Sequence, residues 1–252
     1  MYSHSKLQTF EQCKLKYKLK YIDKIKPPIK GSIEGHLGST VHAALEWLYQ
    51  EIMKSNLPQL DNVLEKYLET WQKNFSEELI IVKKDMTDQD YLNKGVKFLT
   101  DYYFKNHPFK DGTLETEKKI FIKIKDTNHS LMGFIDRLVH NKELNRFEIH
   151  DYKTASSLPN QEYFENDRQL ALYSIAIKEQ YKKDVVLTWH YLNHNVQIFS
   201  KRTDNQLNQL LEEIKQLIEE IEKTKEFPAN KTILCDWCEY RTICPAWGNK
   251  DF

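Results

Sequence analysis

At residue 118 the hydrophobic period of the chain changes, and that change does most to limit what it can fold into. Before it, apolar residues recur at helical spacing; in "KKIFIKIK", Ile120, Ile122 and Ile124 alternate with Phe121, Lys123 and Lys125, the period-two pattern of a strand. "HSLMGFIDRLVH" and "NRFEIHDYKT" read as two further strands joined by the turn-like "NKELN". "ENDRQLALYSIAIKEQY" reads as a helix, "DVVLTWHYLN" and "VQIFSKRT" as strands, and 204–225 as a helix with Leu207, Leu210, Leu211, Ile214, Leu217, Ile218 and Ile221 on one side. That stripe is expected to pack in the core. Three strands, a helix, two strands and a helix predict an α/β fold with a mixed central sheet flanked by helices.

The first hundred residues are helical in pattern. Ser5-x-x-Gln8 resembles a capping box, and Leu7, Phe10, Cys13 or Lys14, Tyr17 and Tyr21 follow at helical spacing until Pro27 and Pro28. Gly31, Gly35 and Gly38 suggest a turn region, with a second helix starting near Ser39 or Thr40. Residues 57–105 read as two or three helical pieces broken around "KKDMTDQD". With 40% hydrophobic residues in 252, the chain can bury one full core, and seven glycines and seven prolines leave little for flexible linkers. No apolar run approaches the roughly eighteen residues of a membrane span, and the start lacks a secretory pattern. A cytoplasmic protein is expected. Net charge is formally zero, yet lysines crowd residues 6–30 while acidic residues gather in 61–90 and 212–226. The basic stretch fits a phosphate-binding face or a merely solvated helix face.

Asp151 and Lys153 fall two apart at the end of a predicted strand, so both side chains point to one face. Alone, the pair reads either as a surface ion pair or as a metal-binding carboxylate beside a water-orienting amine. Asp136 lies late in the preceding strand, within reach of Asp151; two such carboxylates repel unless a divalent cation joins them. His42 near a helix start is either a buried, satisfied imidazole or a ligand. Gln169 and Tyr173, four apart, share a helix face. All four cysteines of the chain, Cys13 and the tail set Cys235-x2-Cys238-x5-Cys244, suit a soft tetrahedral site better than disulfides in a reducing compartment. Zinc and an iron–sulfur cluster both fit four thiolates.

Taken in order, His42, "GFIDRL", "IHDYKT" and "RQLALY" resemble the RecB-like branch of the PD-(D/E)XK nucleases. "FEQC" with "CDWCEYRTIC" is similar to its iron–sulfur members, the AddB-type helicase–nuclease subunits and the RecB-like CRISPR-associated exonucleases. The likeness spans Ser3 to Pro245. It departs where Ile135 precedes Asp136 in place of proline, where Asp151 replaces the commoner glutamate, and where Lys14 follows the first cysteine.

The resemblance implies a restriction-endonuclease-like fold in a single domain over 1–252. Its helical part would cover about 36–108, its catalytic core about 112–203, and its cluster-binding ends about 1–26 and 204–247. It implies a DNA exonuclease acting on single strands or free ends, in DNA repair, recombination or CRISPR adaptation, beside a helicase or integrase-type partner. Mg2+ or Mn2+ would be held by His42, Asp136, Asp151 and the Tyr152 backbone carbonyl. Lys153 would position and polarise the water, and Gln169 and Tyr173 would assist. Cys13, Cys235, Cys238 and Cys244 would hold a 4Fe-4S cluster in preference to zinc. The competing expectations are a non-catalytic DNA-binding or scaffold module, and a zinc-stapled binding protein.

Overall fold

The computed structural model describes residues 1–247. Its elements run α1 (His4–Gln12), α2 (Lys14–Tyr17) with a π-helical turn (Lys18–Ile22), α3 (Ile33–Met53), α4 (Leu60–Asn74) and α5 (Asp88–Asn106). Then come β1 (Thr113–Lys123), β2 (Ser130–Asn141), β3 (Arg146–Lys153), α6 (Gln161–Asn166), α7 (Arg168–Tyr181), β4 (Val185–Tyr191), β5 (Val196–Ser200) and α8 (Asp204–Lys223). The sheet has the order β1-β2-β3-β4-β5, with β3 and β4 parallel and the other pairs antiparallel. The parallel pair is the one whose connection contains helices, as a crossover requires. The predicted mixed α/β architecture is the observed one.

Alternation sorts the two sheet faces. Phe147 and Ile149 of β3 join Val185, Leu187, Trp189 and Tyr191 of β4 in a core covered by α1, α7 and α8, where Leu207, Leu210, Ile214, Ile218 and Ile221 pack as expected. The opposite face carries Tyr152 against a second apolar cluster drawn from α3, α4 and α5.

Four sequence expectations need correction. The predicted helix over 5–21 is broken at Cys13, whose backbone is extended (φ −161°, ψ 109°). Asn230 stabilises the break, its side-chain amide donating to the Gln12 carbonyl at 3.0 Å and its backbone N–H to Cys13 Sγ at 3.5 Å. The cap of α1 is Ser3, which accepts from the Lys6 N–H at 3.1 Å, and not Ser5. Helix α3 starts at Ile33, capped by Ser32, and runs through Gly35 and Gly38; His42 is therefore well inside the helix. Glycine is a poor helix former by about 1 kcal/mol, but Gly38 is where Thr154 approaches, 3.3 Å from the place a Cβ would take. The "ENDRQ" helix is two helices, because Asp167 leaves the helix to cap α7 through the Leu170 N–H at 2.9 Å.

The lysine-rich segment is also not a free basic face. Lys14 pairs with Glu220, Lys16 and Lys20 with Glu239, Lys18 with Asp23 and Lys30 with Glu78. Lys6 lies over the rings of Tyr2, Tyr17 and Tyr21. Several of these pairs tie the segment to α8 and the tail, as do Leu15 N–H to the Pro228 carbonyl (3.2 Å) and Tyr240 Oη to the Ile25 carbonyl (2.9 Å).

Candidate active site

The β2–β3 ladder ends at the pair Arg137 and His150, and Asp136 and Asp151 are the next residues opposite each other. There the strands exchange a side-chain bond for a backbone one: Asp136 Oδ2 accepts from the Tyr152 N–H at 3.0 Å. The His42 ring, from the middle of α3, closes the same point. Its Nε2 lies 2.8 Å from the Tyr152 carbonyl and its Nδ1 3.3 Å from Asp136 Oδ2. On the neighbouring face Asp151 Oδ2 and Lys153 Nζ are 2.7 Å apart, with Asp151 buried. The structure thus brings His42, Asp136, Asp151, the Tyr152 carbonyl and Lys153 to one end of the central strands.

Gln169 and Tyr173 extend from Lys153 in series. Lys153 Nζ lies 3.4 Å from Gln169 Oε1, and Gln169 Nε2 lies 3.5 Å from Tyr173 Oη. Tyr173 rests on Gly133 of β2, where a Cβ would come within 2.3 Å of the ring. The glycine of "GFIDRL" is therefore the floor on which α7 presents this pair.

Glu117 of β1 belongs to the same place and was not foreseen. His42, Glu117 and Asp136 offer ligand atoms that all lie within 4.8 Å of one another, the one such group among the described residues. Register is kept on both sides of it, Thr116 opposite Arg137 and Lys118 opposite Ile135, yet Glu117 has φ 46°. The other non-glycine residues with positive φ lie in turns or at helix ends; Glu117 alone among the described residues sits inside a strand. The pleat changes phase here: Ile135 and Leu138, of opposite parity, share one core, and Thr116 of β1 meets Gln50 of α3 (3.5 Å). Backbone held in this region costs on the order of 1 kcal/mol and needs a reason nearby. Aiming a third ligand at His42 and Asp136 supplies one. Residues 115–119, Glu-Thr-Glu-Lys-Lys, are uniformly polar, so no hydrophobic alternation marks the strand around Glu117.

Burial first, and the Asp151 carboxylate second, push Asp136 up to about 6, against the pull of His42, the Tyr152 N–H and Lys153. Glu117 is raised by burial and then by Asp136 and Glu46. Burial by itself would lower Lys153, but Asp151, Asp136 and Asp167 outweigh it and hold the amine above its ordinary range. With these carboxylates around it, Lys153 is held in its protonated, hydrogen-bond-donating form. Arg137, missed because a charged residue after Asp136 reads as exposed, is 1% exposed. It donates to Tyr152 Oη at 2.8 Å, ion-pairs with Asp111, and lies 4.1 Å over the Tyr49 ring.

The four cysteines are elsewhere but together. Cys13, Cys235, Cys238 and Cys244 line one cavity with Asn230 and Thr232, and none is in a disulfide. Helix α1 leads from His4, near Lys153 and Asp151, to Cys13, about 14 Å at 1.5 Å per residue.

The pattern of the PD-(D/E)XK nuclease superfamily matches residues 1–245. The chain belongs to that superfamily. Among solved structures, one titled "Crystal structure of SSO0001" is 15% identical, with 92% of this chain and 94% of that chain covered and a TM-score of 0.39. No curated protein matches the sequence. No helix among the described residues is long and apolar enough to cross a membrane.

For a PD-(D/E)XK nuclease a divalent cation is the expected guest, and His42, Glu117 and Asp136 fit one, since two repelling carboxylates and an imidazole gain by sharing it. Its effect should depend on pH in a defined direction. A carboxyl raised to about 6 contributes to folding fully at low pH and loses that contribution as pH climbs through 6. A cation replaces the proton and restores it. The rise in melting temperature caused by Mn2+ should therefore be small at pH 5, grow through pH 6 and level off above pH 7. Asp136→Asn should flatten that curve. A rise that is equal at both ends, or larger in acid, would contradict this electrostatic account.

Proposed function

We propose that the protein is a RecB-like, Mg2+- or Mn2+-dependent deoxyribonuclease, an exonuclease acting on single-stranded DNA or free DNA ends. The observation that carries this reading is the undivided constellation around the β2–β3 strand ends. Asp151 and Lys153 are paired at 2.7 Å, and His42 and Asp136 meet at Tyr152. A scaffold that had given up catalysis would have no need to keep Lys153 charged between two carboxylates.

In this reading His42, Asp136, Asp151 and the Tyr152 carbonyl hold the cation, with Glu117 as a further ligand. When bound, the cation supplies an activated water and neutralises charge at phosphorus. Lys153 donates a hydrogen bond to the attacking water or to a phosphate oxygen, and its fixed charge stabilises the developing oxyanion. Gln169 accepts from the ammonium, and Tyr173 holds the Gln169 amide, so Lys153 is aimed before substrate arrives. The imidazole is a softer donor than carboxylate, which favours Mn2+ alongside Mg2+.

Cys13, Cys235, Cys238 and Cys244 hold a 4Fe-4S cluster. Two backbone donors face the sulfurs, Asn230 N–H to Cys13 (3.5 Å) and Thr232 N–H to Cys235 (3.4 Å), as suits thiolate ligands. The four thiols line one cavity, and the likeness to the iron–sulfur branch favours the cluster over a single zinc. The cluster clamps the chain ends, and residues 1–252 work as one nuclease domain, with the helices between about 36 and 108 closing the site through His42. The protein acts in the cytoplasm, in DNA repair, recombination or CRISPR adaptation. A helicase or integrase-type partner supplies the strand.

The test is one preparation with two readings. Anaerobically purified protein should carry roughly four irons per chain with broad visible absorbance. It should also shorten end-labelled single strands with Mg2+ or Mn2+ and not with excess chelator. Zinc in place of iron would overturn the cluster. Cation-independent cutting, or none, would overturn the nuclease.

A further inference from the structure

A second cavity opens beside Asp151 and Lys153. It is lined by His4 and Gln8 of α1, by Asn160, Tyr163 and Asn166 of the α6 region, and by Arg168 at the start of α7. Its volume of about 380 Å³ lies within the range in which small-molecule sites fall. His4 is close enough to Lys153 and Asp151 to feel both charges, and so is Tyr163, which places the cavity at the edge of the reaction centre.

The lining has the chemistry of a base-recognition site. Tyr163 is 46% exposed and is held edge-on by Phe164 (centroids 5.4 Å apart), itself buried. A fixed, half-exposed aromatic next to a nuclease centre is a stacking platform. Around it stand groups that both donate and accept. Asn160 gives its Oδ1 to the Tyr163 N–H at 3.1 Å, which leaves its amide nitrogen to donate. Gln8 brings a second amide. Burial, then Arg168 and Lys153, push the His4 imidazole down to about 4, so at neutral pH it offers one donor and one acceptor.

Phosphate is a poorer match. The Arg168 guanidinium is held by both carboxylate oxygens of Glu11, and the cavity wall also includes Glu162 and Asp167. Net charge at the wall therefore does not favour an anion.

We propose that this cavity receives an unpaired nucleobase flanking the scissile phosphate, stacked on Tyr163 and read at its edge by Gln8, His4 and Asn160. The polymer and its cleavage rest on the deoxyribonuclease reading above; the base site rests on its own lining. A base in a duplex must leave its stack to enter, so the site favours single strands and frayed ends over intact duplex.

The experiment uses the full chain and oligonucleotides in two arms. In the first, single strands carry 2-aminopurine at one position at a time, with Ca2+ in place of Mg2+ so that the strand stays whole. One register should be quenched, and Tyr163→Ala should release it while Tyr163→Phe keeps it. In the second arm, with Mg2+ or Mn2+, an abasic site is walked past the cleaved bond. At that same register it should lower kcat/KM about tenfold. Tyr163→Ala should cost about as much on the natural strand, and the two changes together no more than either alone. Cutting by the wild type with no quenched register and no abasic effect overturns the base site. A loss on removing a terminal phosphate, with no position sensitive to base removal, overturns it in favour of a phosphate site. A quenched register in a protein that cuts nothing leaves the base site standing and overturns the nuclease.

Discussion

Lys153→Ala and Asp151→Asn should each slow DNA cleavage by about 10³-fold or more, with binding of single-stranded DNA and iron content little changed. Losing one preorganised donor at a developing charge has this order of effect. Lys153 is the group whose charge is fixed by its surroundings, held above the ordinary lysine range by Asp151, Asp136 and Asp167 despite burial. Its alanine variant leaves Asp151 and Asp136 facing each other without that counter-charge. It should therefore also melt earlier at pH 7.5 than at pH 5.5, relative to wild type. Asp151→Asn keeps volume and hydrogen-bonding capacity and isolates the loss of charge. Single-turnover cleavage with saturating Mn2+, read beside circular dichroism, separates chemistry from folding. A folded variant that cuts within a few-fold of wild type would remove that residue from the active site.

The largest effect on stability should come from Arg137, which touches no substrate in this reading. Arg137→Met should cost about 3–5 kcal/mol, the range for breaking one side of a buried charge network. For a chain of this length that lowers Tm by roughly 10 °C. The arginine is 1% exposed and satisfies several groups at once: Tyr152 Oη (2.8 Å), His150 Nδ1 (2.8 Å) and the Asp111 carboxylate. His150 is kept well below its ordinary range by burial and then by Arg137, so it stays neutral. Its Nδ1 accepts from Arg137 Nη2 at 2.8 Å, and His190 Nε2 lies 2.7 Å from the same atom. Methionine fills the space but removes the donor shared by Tyr152 Oη and His150 Nδ1 and the counter-charge of Asp111. Because Tyr152 also carries the carbonyl that meets His42, the surviving folded fraction should bind Mn2+ more weakly. A Tm within 2 °C of wild type would mean that water replaces the guanidinium and the network carries little.

The strands, the mixed sheet and the nearness of Asp136, Asp151 and Lys153 were legible because strands of alternating polarity announce both their existence and their faces. Ile120, Ile122 and Ile124 mark β1, and the two-residue step from Asp151 to Lys153 states their common side. The element breaks were not legible, since each depends on a partner distant in sequence. Cys13 leaves the helix because Asn230 meets it, and α3 tolerates Gly38 because Thr154 packs there. Glu117 and Arg137 were hidden for opposite reasons. One lies in a polar strand segment with no apolar rhythm. The other is a charge in a place where charge is seldom buried, and only the ring of Tyr49 and the hydroxyl of Tyr152 explain it. The crowd of N-terminal lysines was legible as composition, but the carboxylate partners of Lys14, Lys16 and Lys20 lie in α8 and the tail and could not be assigned from spacing.

The contacts that join residues 12–29 to residues 228–240 also fix an order of events during synthesis. At ribosomal speeds of about 5–20 residues per second, some 200 residues and roughly 10–40 s separate the emergence of Gln12 from that of Pro228. Through that interval the segment Lys14–Ile29 has left the tunnel and lacks Pro228, Asn230, Glu239 and Tyr240, the groups that receive it. The sheet can close on α7 first, with Tyr2 paired to Ser130 and Met132 of β2, and residues 14–29 dock once residue 240 is made. Residues 14–29 are in this sense made early and placed late.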